Sequence, residues 1–530
     1  MRVVATACLM LAAANATAVD TVLHNGKVWT GDPTRPSATA IAIDDGRIVA
    51  IGPGEAILAL ATKDSQRIDL GGRRVVPGIN DAHTHLTASP PSEQLDLPRD
   101  ADSAKVRAAI AALPTTGEAW ITADIDMAVL GDPAMRRAQL DLLQPTRPVM
   151  LTGWTGHGML VNSAGQKALG LALDAVPAGG WLGRDAAGAF DGRVYEYAQW
   201  SPRVGLPAPD PAALRGSFER ASARLLKLGI TSIQNMAIGT ALPDFIAAWQ
   251  ASGTPLRVRV IRTPLARRPG EAPEHLDIPA RDPAQPSIVV SGTKWILDGT
   301  PMERGAAMRT AYPEGGHGHL NFSQGEIEAL LREAFARGDQ PLLHVSGDAT
   351  LVAVLDAMQA TAPPEAWRTL RPRIEHGEGL APDLMARARG FGIVLVQNPS
   401  HFMLPPPEAG YLASHGLQPL ADVLAAGIPL ALGSDGPPSP WLNMMFAIAP
   451  ASRPEQALTR EQALRAYTTG SAFAEFSEDD KGRLTPGHLA DLAVLSQDVL
   501  DESVPAEALP GTTSLLTMVG GKVAWRDPAF

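Results

Sequence analysis

The 530-residue chain has a single cysteine, Cys8, and it falls inside an apolar N-terminal stretch. That stretch runs from Met1-Arg2 through Val3–Ala14 with few polar positions and ends in Asn15-Ala16-Thr17-Ala18, the outline of a short secretory signal with an Ala-x-Ala end. It predicts cleavage after Ala18 and a periplasmic or secreted mature chain. A lipoprotein signal is not expected, because Ala5 stands where a Leu-like residue would precede Cys8. A mature chain without thiols excludes disulfides, cysteine nucleophiles and thiolate metal sites together, which leaves His and carboxylates as metal ligands. The apolar stretch is also too short for a membrane span. No cluster of Lys and Arg stands out, and 56 acidic against 45 basic residues give a net charge of −11. This excludes nucleic acid and anionic membrane surfaces as expected partners. A small-molecule substrate is the expected partner, with self-association into a homo-oligomer left open. Internal repeats and low-complexity tracts are absent as well.

What the chain does have is His83-Thr84-His85 at the end of the run Val75-Val76-Pro77-Gly78-Ile79-Asn80-Asp81-Ala82. Residues i and i+2 of a strand point to the same face, so both imidazoles can converge on one cation. Three later apolar runs also end in a candidate ligand: Pro341-Leu342-Leu343-His344, Arg373-Ile374-Glu375-His376 and Pro429-Leu430-Ala431-Leu432-Gly433-Ser434-Asp435.

Between these motifs, residues from about 75 to about 478 alternate short apolar strands with amphipathic helical stretches such as Pro211–Leu228, Gln324–Ala336 and Ala349–Met358, the pattern of an α/β architecture. Strands are predicted at Val75–Ile79, Val149–Thr152, Thr231–Asn235, Leu256–Ile261, Lys294–Leu297, Leu342–Val345, Arg373–His376, Ile393–Gln397 and Pro429–Leu432, enough for an eight-stranded barrel plus an excursion. Trp120–Ala123 is a further strand without an assigned place. Both ends read as β-rich, with hairpin turns at Asp44-Asp45-Gly46 and Gly520-Gly521. The expected organisation is a signal over 1–18, a first part of a small β-sandwich over 19–74, a barrel over 75–478 and the second part of the sandwich over 479–530.

The ordered set His83, His85, His344, His376, Asp435 resembles that of the amidohydrolase superfamily. The flanking segments narrow the resemblance to the amidohydrolase-3 family of YtcJ-like and N-substituted formamide deformylase-like enzymes. They include Val76-Pro77-Gly78, Gly156-His157-Gly158-Met159-Leu160-Val161-Asn162, Lys294–Gly299, His344-Val345-Ser346-Gly347-Asp348, Gly433-Ser434-Asp435 and Gly482–Leu492, and together they span nearly the whole mature chain. The resemblance implies a distorted (β/α)8 TIM-type barrel with a metal site at the carboxyl ends of its strands. It also implies that Lys294, at the end of the fourth strand, is carboxylated on its amine to a carbamate bridging two metals; the alternative is a structural or substrate-binding lysine beside one metal. Glu196 is a competing carboxylate, either ligand or wall. His157, in a Gly-flanked loop, is expected to hydrogen-bond the scissile carbonyl oxygen. His317 and His319 share the first pair's spacing but lack a preceding strand, and are read as surface residues. His24, His275, His401, His415 and His488 are read likewise, with His401 a possible neighbour of the pocket.

The expected activity is hydrolysis of a C–N bond (amide, N-formyl or N-acyl) of a small molecule. A divalent metal, zinc by the nature of the donors and one or two ions in number, activates water, and Asp435 serves both as ligand and as general base. Asp348 and Glu375, beside the ligands, are expected to orient imidazoles through their second nitrogens. Ester, lactone or cyclic-amide hydrolysis on the same site is the alternative within enzymes, and a non-catalytic periplasmic metal- or ligand-binding protein is the alternative of another class. Trp154, Trp181, Trp295 and Trp441 are candidate apolar walls.

Overall fold

The computed structural model describes residues 19–530 except 87–91, 206–209, 266, 268–269, 272–273 and 404–405, so the expected signal peptide and Cys8 lie outside the described residues. Eight parallel strands form one sheet in strict chain order: β1 Ile79–Thr84, β2 Ile230–Met236, β3 Arg257–Arg262, β4 Ile288–Ile296, β5 Pro341–Val345, β6 Arg373–His376, β7 Val394–Gln397 and β8 Leu430–Leu432. Parallel neighbours need crossovers, and helices such as Pro211–Lys227, Gln324–Arg337 and Asp348–Thr361 supply them. The protein therefore has the distorted (β/α)8 barrel expected of the sequence. Strands β5, β6, β7 and β8 are buried at every position, as strands covered on both faces must be.

The barrel is nearly closed, and its seam is tied by the residues that carry the histidine pair. Asp435 N donates to His83 O at 3.0 Å, and the Asp81 carboxylate accepts from Ser434 N at 2.9 Å and Ser434 Oγ at 2.5 Å. Gly433 permits this approach, because a Cβ there would lie 2.5 Å from His83 Cβ.

The sequence-based strand at Val75–Ile79 is divided in the structure. Arg74–Pro77 pairs with Lys27–Trp29 and with Leu492–Leu495 in a six-stranded sheet that mixes both ends of the chain, and β1 begins after the break at Gly78. A four-stranded sheet of Thr21–His24, Ala40–Asp44, Arg47–Gly52 and Gln66–Asp69 shares a core with it, built from Leu23, Ile41, Ile68, Val75, Leu492 and Leu516 among others. The excursion is a separate six-stranded sheet between β1 and β2. Val149–Gly153 pairs there with Trp120–Ile125, which settles the place of both strands outside the barrel. Among the described residues, no helix is long and apolar enough to cross a membrane.

Candidate active site

His83 is the last residue of β1 but one, and His85 follows just beyond the strand end. Their Nε2 atoms stand 3.2 Å apart. Behind His83, Nδ1 meets Glu375 Oε2 at 2.7 Å, and Glu375 is gripped by the buried Arg373, with Nε to Oε1 at 2.7 Å and Nη2 to Oε2 at 2.9 Å. Arg373 also donates to the Ala82 carbonyl at 2.8 Å, so β1 and β6 are pinned at this level. A carboxylate on the second nitrogen fixes the tautomer and leaves Nε2 free as an acceptor towards the barrel mouth. Of the two carboxylates expected to orient imidazoles, Glu375 does so. Asp348 does not: it opens the helix Asp348–Thr361 and turns to Arg309, accepting from its N and Nε at 2.7 Å each.

Asp435 lies across the mouth from this pair. Its Oδ1 is 3.3 Å from His85 Nε2, and its Oδ2 is 3.6 Å from His83 Nε2, 3.7 Å from His376 Nδ1 and 3.9 Å from His401 Nε2. The Lys294 amine, at the end of β4, is buried and 2.9 Å from His83 Nε2. The rings of His344 and His376 lie 4.4 Å apart, completing a ring of side chains from β1, β4, β5, β6 and the end of β8. His83, His85, Lys294, His344, His376 and Asp435 thus meet at the carboxyl ends of the strands.

The electrostatics match this crowding. Burial drives His83, His344 and His376 well below the usual histidine range, with the neighbouring Lys294 adding to the effect, so these rings are neutral with a lone pair to offer. Burial also pushes Lys294 down to about 8 against the pull of Asp435 and Glu375. Burial works against the Asp435 charge, but the surrounding His83, His85, His401 and Lys294 outweigh it and hold the carboxylate ionised. His344 Nε2 and His376 Nδ1 are buried and have no hydrogen-bond partner among the described residues. Orphaned nitrogens of this kind, together with His and carboxylate donors, are what a divalent cation such as zinc requires.

A second wall comes from the inserted sheet. His157 Nδ1 is 2.8 Å from Glu196 Oε1, while Asn321 Nδ2 donates to Glu196 Oε2 at 3.1 Å and to the Ile296 carbonyl at 3.0 Å. Glu196 thus has one oxygen on the His157 imidazole and the other on the Asn321 amide. The His157 ring packs 4.6 Å from that of His344 and 5.6 Å from Trp200. Burial opposes its charge, yet Glu196 prevails and lifts it to about 9.

Sequence reading missed Glu378, Asp298 and Trp200 as site residues and took His401 only as a neighbour of the pocket. His401 Nε2 lies 2.9 Å from the Asp435 carbonyl, and Glu378, raised to about 7 by burial, lies beside it. Asp298, at the end of β4, accepts from Ser346 N, Gly347 N, Ala307 N and Thr350 Oγ1 and so fixes the end of β5. For Glu378 and Asp298 the available signal was position just after a strand. Of the candidate walls, Trp295 and Trp441 are core residues, Trp154 lies under Arg99 at 4.2 Å, and Trp181 stacks on Tyr195. His317 and His319 are exposed, as expected. Asp435, His376 and Glu196 all adopt positive φ (38°, 69° and 52°), a strained region for such residues that is tolerated where side-chain aim matters.

Imidazoles and carboxylates gathered at the carboxyl ends of barrel strands define the class: a barrel protein with candidate metal-ligating groups at its mouth. The model of the amidohydrolase family matches residues 66–524, and the chain belongs to that family of hydrolases. It is 26% identical over 95% of its length to Protein LONG AFTER FAR-RED 3 of Arabidopsis thaliana, covering 91% of that protein. It is also 26% identical over 91% of its length to the N-substituted formamide deformylase of Arthrobacter pascens, covering 94% of it. Among solved structures, an uncharacterized metal-dependent hydrolase from Pyrococcus horikoshii superposes with a TM-score of 0.70 at 21% identity, covering 91% of this chain and 98% of that one, a likeness of fold.

Proposed function

We propose that this chain is a metal-dependent hydrolase of a C–N bond in a small molecule, an amide, N-formyl or N-acyl group. The observation that carries the reading is the convergence of His83, His85, Lys294 and Asp435 within 2.9–3.6 Å contacts at the barrel mouth. His83, His85, His344, His376 and Asp435 would hold one or two divalent ions, zinc suiting the donors. When bound, the cation supplies Lewis acidity that lowers the pKa of a water towards about 7. Lys294 is suited to carboxylation: an amine depressed to about 8 has a neutral fraction that can attack carbon dioxide, and the resulting carbamate replaces a repelled ammonium with a ligand.

The chain's own residues then divide the proton work. Asp435, ionised and reached by four imidazoles, accepts the proton of the attacking water and delivers it to the departing nitrogen. His157, held charged by Glu196, donates a hydrogen bond to the scissile carbonyl oxygen as negative charge develops there. Glu196 is a positioning residue, since it acts through His157. Export belongs to the same proposal and rests on the apolar Val3–Ala14 stretch and the Ala16-x-Ala18 end.

The test is hydrolysis of N-formyl and N-acyl amines, with activated esters and lactones alongside, by wild type and Asp435→Asn. Turnover of the C–N substrates that falls by roughly 10³-fold in the variant, within the range of lost general-base catalysis, supports the reading. Ester or lactone turnover without C–N cleavage replaces it with the alternative activity. Metal binding without turnover of any of these compounds leaves a binding protein instead.

A further inference from the structure

We propose that Glu378 and His401, together with His376, hold a divalent cation at a position adjoining the one framed by His83, His85 and Asp435. The inference rests on the metal-hydrolase reading and adds two ligands to it. Each of the three residues offers one ligand atom, and these atoms lie within 4.8 Å of one another. Donors of a single zinc ion, each about 2.0–2.2 Å from the metal, stand roughly 3–4.5 Å apart, so side chains this close need only a small adjustment to share one ion.

Two unsatisfied atoms point the same way. Glu378 is 6% exposed, and its Oε2 is buried without a hydrogen-bond partner among the described residues. His376 Nδ1 is in the same condition. Each orphaned atom is desolvated without compensation, and a cation held by these two side chains would satisfy both.

The backbone is shaped to bring Glu378 there. His376 and Gly377 both have positive φ (69° and 58°), which turns the chain back over the barrel mouth immediately after β6. Gly379 then passes against the start of the helix Asp348–Thr361, where a Cβ would lie 2.4 Å from Asp348 N and Gly347 C. Gln418 N donates to the Glu378 carbonyl at 2.8 Å and fixes the turn from the other side. His401, in the short helix Pro399–Phe402, stacks on the His376 ring at 5.6 Å and 20° and is tethered to the Asp435 carbonyl. Asp435 lies between the two positions, with Oδ1 towards His85 and Oδ2 within 3.9 Å of both His376 and His401.

The test uses the full chain loaded with zinc: anomalous diffraction at the zinc edge, with zinc content by elemental analysis for wild type and Glu378→Gln. The expected result is a peak within about 2.3 Å of a Glu378 carboxylate oxygen and zinc content falling from about two to about one per chain in the variant, the remaining ion staying at His83 and His85. Zinc at His83 and His85 alone, or a second ion between His344 and His376 with unchanged content in Glu378→Gln, overturns this inference and leaves the hydrolase reading standing. No zinc in the wild type overturns both. Glu378→Gln preserves shape; should it fail to fold, His401→Gln gives the same readout.

Discussion

Two buried histidine–glutamate pairs stand at the barrel mouth with nearly equal geometry, one imidazole neutral and the other charged. His83 and Glu375 meet at 2.7 Å, and His157 and Glu196 at 2.8 Å. Burial opposes a charged imidazole at both places, yet His83 is driven well below the usual range and His157 is raised to about 9. The difference lies in what else each pair touches. Arg373 grips both oxygens of Glu375 and spends its field, and Lys294 stands 2.9 Å from the far side of His83. Glu196 has the neutral amide of Asn321 on its second oxygen, so its charge acts on His157, with Glu303 and Asp435 adding to it. One motif therefore yields two tools: a neutral nitrogen that can ligate a cation, and a charged one that can donate to an oxyanion.

Breaking the first pair should have the larger effect. In Glu375→Ala the Arg373 guanidinium is left buried and unpaired, a loss of about 3–5 kcal/mol of stability. His83 loses its anchor as well, and zinc affinity falls by roughly 10–100-fold. Urea unfolding and zinc titration on one preparation check both; a loss of affinity without a loss of stability would show that Arg373 finds other compensation.

Breaking the second pair removes a charge rather than an anchor. Glu196→Gln should cut turnover by roughly 10²-fold, as losing an oxyanion donor does, at unchanged zinc content. The pH dependence carries the sign. A histidine raised in the folded state contributes stability fully present below its unfolded value near 6.5 and lost as pH rises through about 9. The wild type should accordingly lose both activity and this increment of stability on the alkaline side near 9, and the loss should move towards neutrality in Glu196→Gln. An alkaline limb that stays in place would deny His157 its role as the charged donor.

The barrel was legible in the sequence because its strands are buried on both faces and end in the residues that do the chemistry. A run such as Pro341-Leu342-Leu343-His344 announces both strand and site. Glu378 was not legible and His401 was legible only as a neighbour of the pocket, since each reaches the mouth by a turn of backbone rather than by strand periodicity: one through the positive φ of His376 and Gly377, the other through the short helix Pro399–Phe402. Asp298 and Asp81 carry no sequence signal of their own beyond position, and only the backbone amides they collect show them to be clamps. The break at Gly78 was likewise hidden, because the apolar run passes through it while the strands on either side join different sheets.

The smallest effect separates an anchoring carboxylate from one that is merely adjacent. Asp348 and Glu375 each lie near a ligand in sequence, but only Glu375 touches an imidazole. Asp348 begins a helix, and its carboxylate faces Arg309, whose other face is occupied by the exposed Asp383 at 2.7 Å. Arg309 is 39% exposed, so solvent screens the pair and Asp348→Asn should cost no more than about 1 kcal/mol. Zinc affinity should stay within about threefold of wild type, well short of the 10–100-fold expected when a residue orienting a ligand is lost. A drop as large as that of Glu375→Ala would mean that the end of β5 depends on Asp348 to hold His344 in place, and that proximity in sequence was the better guide after all.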